Sequence, residues 1–235
     1  MNHPQPADSR KRPLSSGRPR SRVLLVDDHP IVREGLATRI EMEGDMVVSD
    51  MAETADQAIE RIQKEEPDIV VTDLSLSGRP GLELIKDIRT HWPGLPILVL
   101  SIHDEELWAE RVLRAGAQGY VMKSQATEKV LEAIRRVLAG GLWLSEHMSS
   151  ALLGRLTNRR QTVTRDTPLS RLSDRELEIF QMIGLGLSVK EIAQQLFLSS
   201  KTVEVHREHV KEKLGMRSSA ELLRFAVIQT LEEAQ

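Results

Sequence analysis

The stretch Ile69-Val70-Val71-Thr72-Asp73 decides the fold of this chain. Three β-branched apolar residues lie between Pro67 and a carboxylate, and a Ser- and Gly-containing segment follows. A short apolar run of this kind is typical of a strand buried on both faces in the middle of a parallel sheet. Because such strands end at the crevice where α/β folds bind ligands, Asp73 is predicted to lie at the floor of a site. An Asp after a strand is also common as a turn former or helix cap.

Four similar strands accompany this one, and a helical pattern follows each of the five. The strands are predicted over 22–26, 46–49, 69–72, 97–101 and 118–122, and the helices over about 30–42, 54–66, 81–91, 104–115 and 126–138. In the first helix, four residues are predicted to share one face: Ile31, Leu36, Ile40 and Met42. Alternating strands and helices predict a parallel sheet with right-handed crossovers. The fold class is therefore α/β, a flavodoxin-like doubly wound five-stranded sheet in the order 2-1-3-4-5.

The remaining segments differ in character from this α/β domain, which is predicted over 22–140. Residues 1–21 are rich in Pro, Ser and Arg and are expected to form a disordered basic tail. Residues 141–168 are expected to be a linker with a short helix near 151–156. Residues 169–235 form an all-α unit, in which Ser173 and Ser188 each begin a capping box with a Glu three residues later. Two short helices, a turn and a third helix predict a helix-turn-helix.

The amino-acid composition excludes several kinds of site and several classes of protein. The chain has 235 residues, a net charge of −3 and no cysteine, so disulfides and thiolate metal sites are excluded. Aromatic residues make up 3% of the chain, which argues against base-stacking surfaces for single-stranded nucleic acid. The sequence has no apolar run near the ~20 residues of a membrane span and no signal-peptide core. A soluble, cytoplasmic protein without a membrane partner is therefore expected.

Polar residues follow four of the five predicted strands. Asp27 and Asp28 follow the first strand, Asp73 the third, Ser101 ends the fourth and Lys123 follows the fifth. In the order 2-1-3-4-5 these strand ends are neighbours, so the side chains should converge. Each residue alone is more often a cap or surface charge, but three converging carboxylates need a cation, and oxygen ligands suit Mg²⁺. A carboxylate can accept a phosphoryl group as nucleophile, with the metal and the lysine neutralising charge.

These residues resemble the receiver domain of two-component response regulators, through Val26-Asp27-Asp28-His29-Pro30, Asp73, Leu100-Ser101 and Gly119-Tyr120-Val121-Met122-Lys123. The resemblance implies that Asp73 is phosphorylated by a sensor histidine kinase. It implies that Mg²⁺ is bound by Asp28, Asp73 and the Ser75 backbone carbonyl, with Asp27 acting through water. Ser101 and Tyr120 would be the switch pair, with Tyr120 turning inward on phosphorylation. The position four after Asp73, often Pro in the family, is Ser77, which questions the rigidity of that loop.

The C-terminal unit resembles the LuxR-type DNA-binding domain, so the whole chain is similar to NarL/FixJ-type response regulators. The motifs are Leu172-Ser173-Asp174-Arg175-Glu176, Gly186-Leu187-Ser188, Glu191-Ile192-Ala193 and Thr202-Val203-Glu204-Val205-His206. The resemblance implies that residues 199–214 enter the major groove. Phosphates would be contacted by Lys201, Thr202 and Lys211, and base edges by Glu204, Val205, Arg207 and Glu208. An acidic residue there would accept from a cytosine amino group or orient Arg207, and His206 is expected to point inward.

The resemblance implies a transcription factor switched by phosphorylation, not an enzyme. Double-stranded DNA, a histidine kinase and a second copy of the chain are the expected partners, and RNA polymerase is a candidate. The working hypothesis is that the unphosphorylated receiver covers the recognition helix, and that phosphorylation releases it to dimerise. One alternative is a Mg²⁺-dependent phosphohydrolase, which commonly spaces its two first-strand acids two residues apart, whereas Asp27 and Asp28 are adjacent. The other is a regulator that never uses phosphate.

Overall fold

The computed structural model describes residues 20–157 and 168–233. The predicted disordered tail, apart from its last two residues, and most of the C-terminal half of the predicted linker lie outside the described residues. The linker helix near 151–156 is observed as part of a longer helix, Glu146–Thr157. No helix in the described ranges has the length and apolar character needed to cross a membrane.

An α/β unit precedes an all-α unit. The strands are β1 Ser21–Val26, β2 Met46–Ala52, β3 Ile69–Thr72, β4 Ile97–Ser101 and β5 Gly119–Met122. The helices are α1 Pro30–Glu41, α2 Ala55–Lys64, α3 Gly81–His91, α4 Glu105–Ala115, α5 Ala126–Leu138, α6 Glu146–Thr157, α7 Asp174–Gly184, α8 Val189–Gln195, α9 Ser200–Leu214 and α10 Ser219–Glu233. The sheet is parallel and its order is β2-β1-β3-β4-β5, so the predicted fold class and topology are confirmed.

Strand β3 is the centre of this sheet, and all four of its residues are buried. It pairs with β1 on one side and β4 on the other, where Thr72 lies opposite Val26 and Val99. Alternate residues of the sheet face two separate apolar cores, one under α1 and α5 and one under α2, α3 and α4. Burial on both faces is why the strand is apolar throughout, and it fixes the position of Asp73 just beyond its end.

The buried face of α1 differs from the prediction. Leu36 and Ile40 are buried as expected, but Ile31 is 86% exposed and Met42 is 80% exposed. At 3.6 residues per turn, Ile31 lies about 140° around the helix from Leu36, and Met42 about 160° from Ile40. The inward position near the start of the helix belongs to Arg33, which is 8% exposed. Its guanidinium donates to the Asp27 carbonyl at 2.5 Å and to Glu53 at 2.7 Å.

The all-α unit has the predicted helix starts. Ser173 and Ser188 both form complete capping boxes, with Glu176 and Glu191 respectively. Ser199 caps α9 by accepting from the Thr202 amide at 3.0 Å. The turn between α8 and α9 places Phe197 at a φ of 52°, in the left-handed region that bulky residues rarely adopt. Helix α9 is therefore held at its start by a capped and sharply turned connection.

The receiver-like unit packs against α7 of the all-α unit. The Trp108 indole N–H on α4 donates to the Gln181 side-chain oxygen on α7 at 3.0 Å. Arg111 on α4 lies 2.8 Å from Asp174 and also donates to the Leu172 carbonyl at 2.8 Å. By contrast, the outer face of α9 is open, with Val205 46% exposed. The hypothesis that the first unit covers the recognition helix is therefore wrong for this structure, because the contact uses α7.

A close backbone approach fixes the loop after β3. The Gly81 amide donates to the Leu74 carbonyl at 2.8 Å, and a Cβ on Gly81 would overlap the Asp73 carbonyl oxygen and lie 2.8 Å from the Leu74 Cα. We expect Gly81→Ala to destabilise the chain by about 1–3 kcal/mol through overpacking, measured by urea denaturation. Gly35→Ala is the control, because a Cβ there meets nothing within 4 Å and alanine favours the helix. Equal stabilities of the two variants would contradict this account.

Candidate functional site

Three charged side chains meet at the carboxyl end of the sheet. The Lys123 ammonium lies 2.7 Å from Asp73 Oδ2 and 2.7 Å from Asp27 Oδ2. These residues follow β5, β3 and β1 respectively, so their meeting results directly from the observed strand order. The side chains of Asp73, Asp27 and Lys123 are 1%, 5% and 11% exposed. The predicted convergence is therefore observed, and one cation is held between two nearly buried carboxylates.

The environment of Asp73 disfavours its charged form. Burial raises the pKa of the Asp73 carboxyl, and this effect exceeds the lowering by the neighbouring Lys123 ammonium. The remaining oxygen, Oδ1, accepts from the Leu74 amide at 2.6 Å. Burial also lowers the pKa of Lys123, but the contacts with Asp73 and Asp27 outweigh burial and leave it raised. The lysine therefore stays protonated beside a carboxylate that gains from any added positive charge.

Asp28 lies at the edge of the same cluster, with its side chain 21% exposed. Its Oδ2 accepts a hydrogen bond from the Ser77 hydroxyl at 2.7 Å. Its Oδ1 is enclosed and accepts no hydrogen bond from the described residues, although the His29 ring nitrogen lies 2.7 Å away. Within the described residues, the second oxygen of Asp28 is thus buried with His29 as its only close polar neighbour that an ion pair records.

These acidic residues form a candidate metal site. Ligand atoms of Asp27, Asp28, His29 and Asp73 all lie within 4.8 Å of one another. Carboxylate oxygens suit a hard divalent cation such as Mg²⁺, and the enclosed Asp28 oxygen that accepts no hydrogen bond fits such a ligand. Ser75 lies beside them, and its backbone amide stabilises the charged form of Asp73. His29 was not predicted as a member of the cluster, although it follows Asp28 directly in the sequence.

Ser101 and Tyr120 lie close to the acidic cluster and meet at His103. Ser101 is fully buried, and its hydroxyl accepts from the His103 amide at 3.3 Å. Tyr120 is 1% exposed, and its hydroxyl donates to the His103 carbonyl at 2.8 Å. Tyr120 already points inward in this structure, and its turning on phosphorylation stays a prediction. The bond to the His103 carbonyl satisfies the phenol there.

His103 also reaches the domain contact. Its Nε2 lies 2.8 Å from the Ser75 hydroxyl, and its ring lies 5.3 Å from the Trp108 ring. Burial, together with a smaller effect of the nearby Lys123 ammonium, lowers the pKa of His103 to about 4, so the imidazole is neutral at pH 7. Sequence reasoning missed His103 and Arg33, and it noted Ser77 only as the residue at a position that is often Pro in the family. A lone His, Arg or Ser has no spacing signal, and only the folded structure shows its partners.

The predicted DNA-reading face of α9 is mostly accessible. Four of the seven predicted residues are exposed: Lys201, Glu204, Val205 and Glu208. The other three are partly buried: Thr202, Arg207 and Lys211. Glu204 accepts from Arg207 at 3.1 Å, and Glu208 lies 2.7 Å from Lys211. His206 is half-buried, as its place on the inner side of the helix predicted.

Known proteins share both units of the chain. Residues 23–135 match the family model described as response regulator receiver domain, and residues 170–226 match bacterial regulatory proteins, luxR family. The oxygen regulatory protein NreC of Staphylococcus carnosus is 35% identical over 213 residues, covering 89% of this chain and 98% of NreC.

Solved structures agree with these matches. RcsB from Salmonella enterica serovar Typhimurium, bound to promoter rprA with the phosphomimetic BeF3-, aligns with a TM-score of 0.61 and 27% identity. The alignment covers 89% of this chain and 99% of RcsB. A LuxR-family two-component response regulator from Aurantimonas sp. SI85-9A1 aligns with a TM-score of 0.55 and 36% identity, covering 59% of this chain and 99% of that one.

Fold, site and relatives together define a regulator of the two-component class, with a receiver domain followed by a helix-turn-helix. The chain belongs to the LuxR family of response regulators, DNA-binding proteins that regulate transcription.

The raised pKa of Asp73 has a consequence for stability. A carboxyl with a raised pKa binds its proton more tightly in the folded chain, so stability is lost as pH rises through that pKa. We therefore expect Asp73→Asn to stabilise the chain at pH 7 in metal-free buffer, by roughly 1 kcal/mol or a few degrees in Tm. The gain should disappear below the ordinary carboxyl pKa of about 4.

Asp45→Asn provides a control of opposite sign for this measurement. The hydrogen bond from Arg135 lowers the pKa of Asp45, so its charged form adds stability at neutral pH, and its removal should lower Tm slightly. Thermal unfolding of the three proteins between pH 4 and 8 makes the comparison. A lower Tm for Asp73→Asn than for the unchanged chain at pH 7 would contradict the account.

Proposed function

We propose that this response regulator receives a phosphoryl group on Asp73 from a sensor histidine kinase. The observation that carries the proposal is the Lys123 ammonium placed 2.7 Å from Asp73 Oδ2. A carboxylate oxygen attacks the phosphorus, the histidine nitrogen leaves, and an acyl phosphate forms. The ammonium lies where it can neutralise the charge of the incoming phosphoryl oxygens. Ser101, buried beside the site, supplies a hydroxyl for one of those oxygens.

Mg²⁺ is the proposed cofactor, and the residues present fit it. Asp28 and Asp73 would hold the cation directly with the Ser75 carbonyl, and Asp27 would act through water. When bound, Mg²⁺ neutralises carboxylate charge and polarises the phosphoryl group. The chain's own contribution is to hold Asp27 in place, through the Lys123 contact at 2.7 Å and the His29 amide at 2.9 Å.

The proposed output is binding to double-stranded DNA as a homodimer, with RNA polymerase as a further candidate partner. Helix α9 would enter the major groove, where its exposed face meets base edges. On α10, Leu223 and Ile228 are 45% and 46% exposed and offer an apolar surface to a second copy. A structure of RcsB, 28% identical to this chain, contains two dimers bound to two parallel DNAs, and this supports the proposal.

The contact between α4 and α7 is the proposed means of control. In the unphosphorylated chain it fixes the DNA-binding domain against the receiver, so two copies cannot place their recognition helices one helical turn apart. Phosphorylation would weaken the contact through the β4–α4 loop, which carries His103 beside both Ser101 and Trp108. A shift from mostly docked to mostly released needs about 5 kcal/mol of differential stabilisation. No turnover of an external phosphate ester is proposed, since Asp27 and Asp28 are adjacent.

Replacing the phosphoacceptor tests the proposed switch. We expect a small phosphodonor with Mg²⁺ to raise the DNA affinity of the unchanged chain, and to leave that of Asp73→Asn unaltered, because the amide is no nucleophile. Fluorescence anisotropy with a labelled duplex at fixed salt measures the affinity. A phosphodonor response that persists in Asp73→Asn would place the switch elsewhere in the chain.

Arg111 and Arg114 on α4 allow a matched test of the domain contact. Arg111 reaches Asp174 and two carbonyls of the DNA-binding domain, whereas Arg114 pairs with Glu110 on its own helix. Removing charged hydrogen bonds of this kind costs about 1.5 kcal/mol or more, or about tenfold in the docking equilibrium. We expect Arg111→Ala to enlarge the radius of gyration of the unphosphorylated chain by small-angle scattering. The same dimensions for Arg111→Ala and Arg114→Ala would reject this contact as the constraint.

A further inference from the structure

Ser77 makes a hydrogen bond that the receiver resemblance does not account for. Its hydroxyl donates to Asp28 Oδ2 at 2.7 Å, from the position where relatives often carry Pro. Proline has no side-chain donor, so it cannot make this contact. The bond links the β3–α3 loop, four residues after Asp73, to the acid that follows β1.

The two oxygens of Asp28 have different environments. Oδ2 accepts from the Ser77 hydroxyl, while Oδ1 is enclosed, lies 2.7 Å from the His29 ring nitrogen and accepts no well-aligned hydrogen bond from the described residues. A carboxylate held at one oxygen loses rotation about its terminal bond, so its other oxygen keeps a fixed direction. One carboxylate oxygen of Asp28 belongs to the group of ligand atoms within 4.8 Å of one another. Bonds of this kind from a non-ligand residue orient metal ligands and tune their affinity.

The loop around Ser77 is anchored on both sides, so the hydroxyl has a defined place. Leu76 is 5% exposed and packs in the core under α2, α3 and α4. Arg79 makes ion pairs with Asp56, at 3.0 Å, and with Asp87. Gly78 has a φ of 85°, which only glycine adopts easily, and turns the chain between these anchors. The loop therefore does not need a proline to hold its shape.

We infer that Ser77 is a positioning residue for the divalent cation: its hydroxyl holds one oxygen of Asp28 so that the other faces the metal. The inference rests on the proposed Mg²⁺ site. Ser77 touches neither the cation nor Asp73. It sets the affinity for the cation, and through it the rate of phosphoryl transfer at low Mg²⁺.

Titration of the full chain with MgCl2 tests this, with binding followed by isothermal calorimetry and by tryptophan fluorescence. Loss of an outer hydrogen bond to a ligand typically costs about 10-fold or more in metal affinity, so Ser77→Ala should raise the Kd for Mg²⁺ by about that factor. Ser77→Cys keeps the volume but has a weak donor, and should behave like Ser77→Ala. Ser77→Thr keeps the hydroxyl and should bind close to the unchanged chain.

Ser49→Ala is the control for loss of a hydroxyl, because Ser49 donates to the Val23 carbonyl away from the acids. In EDTA, Ser77→Ala should lower the Tm only by the loss of this hydrogen bond, and the rise in Tm that Mg²⁺ produces should be smaller for the variant than for the unchanged chain. Equal Kd values for Ser77→Ala and the unchanged chain overturn the inference, and so does an equal loss in Ser49→Ala. If the unchanged chain itself binds no Mg²⁺, the metal site of the proposed function fails instead.

Discussion

One ammonium group between two nearly buried carboxylates is the interaction on which the receiver site depends. Without Lys123, the Asp27 and Asp73 side chains would face each other across a desolvated space with no opposite charge. The lysine reduces this repulsion but leaves the pKa of Asp73 raised, so the pocket still favours added positive charge. The proposed cation beside Asp28 would supply that charge. The same imbalance that costs the folded chain stability makes the pocket suited to phosphoryl transfer.

The sheet and the converging groups could be predicted because they rest on short-range signals. Apolar runs ending in acid at 26–28 and 72–73 define strands and a shared edge, and five strand–helix units leave few topologies. The capping boxes at Ser173 and Ser188 were also readable, because each needs only two residues at a fixed spacing. Each of these signals lies within a few neighbouring residues, and the structure contains the strands and capping boxes that they predict.

Other parts of the site depend on distant partners and were not predictable. Arg33 is buried because its guanidinium donates hydrogen bonds to the Asp27 carbonyl and to Glu53. No residue within α1 indicates that these partners will be close. Ile31 and Met42 were predicted to share one helix face with Leu36 and Ile40, but their angular positions on the helix expose them. The contact between Trp108 and Gln181 joins residues 73 positions apart. The receiver contacts α7 rather than α9 because the surfaces of α4 and α7 fit each other. This fit depends on both domains together, so it could not be predicted from one segment of the sequence.

The open face of α9 has a consequence for background activity in the cell. Since the receiver rests on α7 in this structure, the exposed side of α9 stays accessible to a phosphate backbone while the two domains are in contact. Weak, sequence-independent association with the chromosome would then precede any signal, and dissociation from it would be fast. The frequency of such encounters would rise with the number of copies of the protein in the cell.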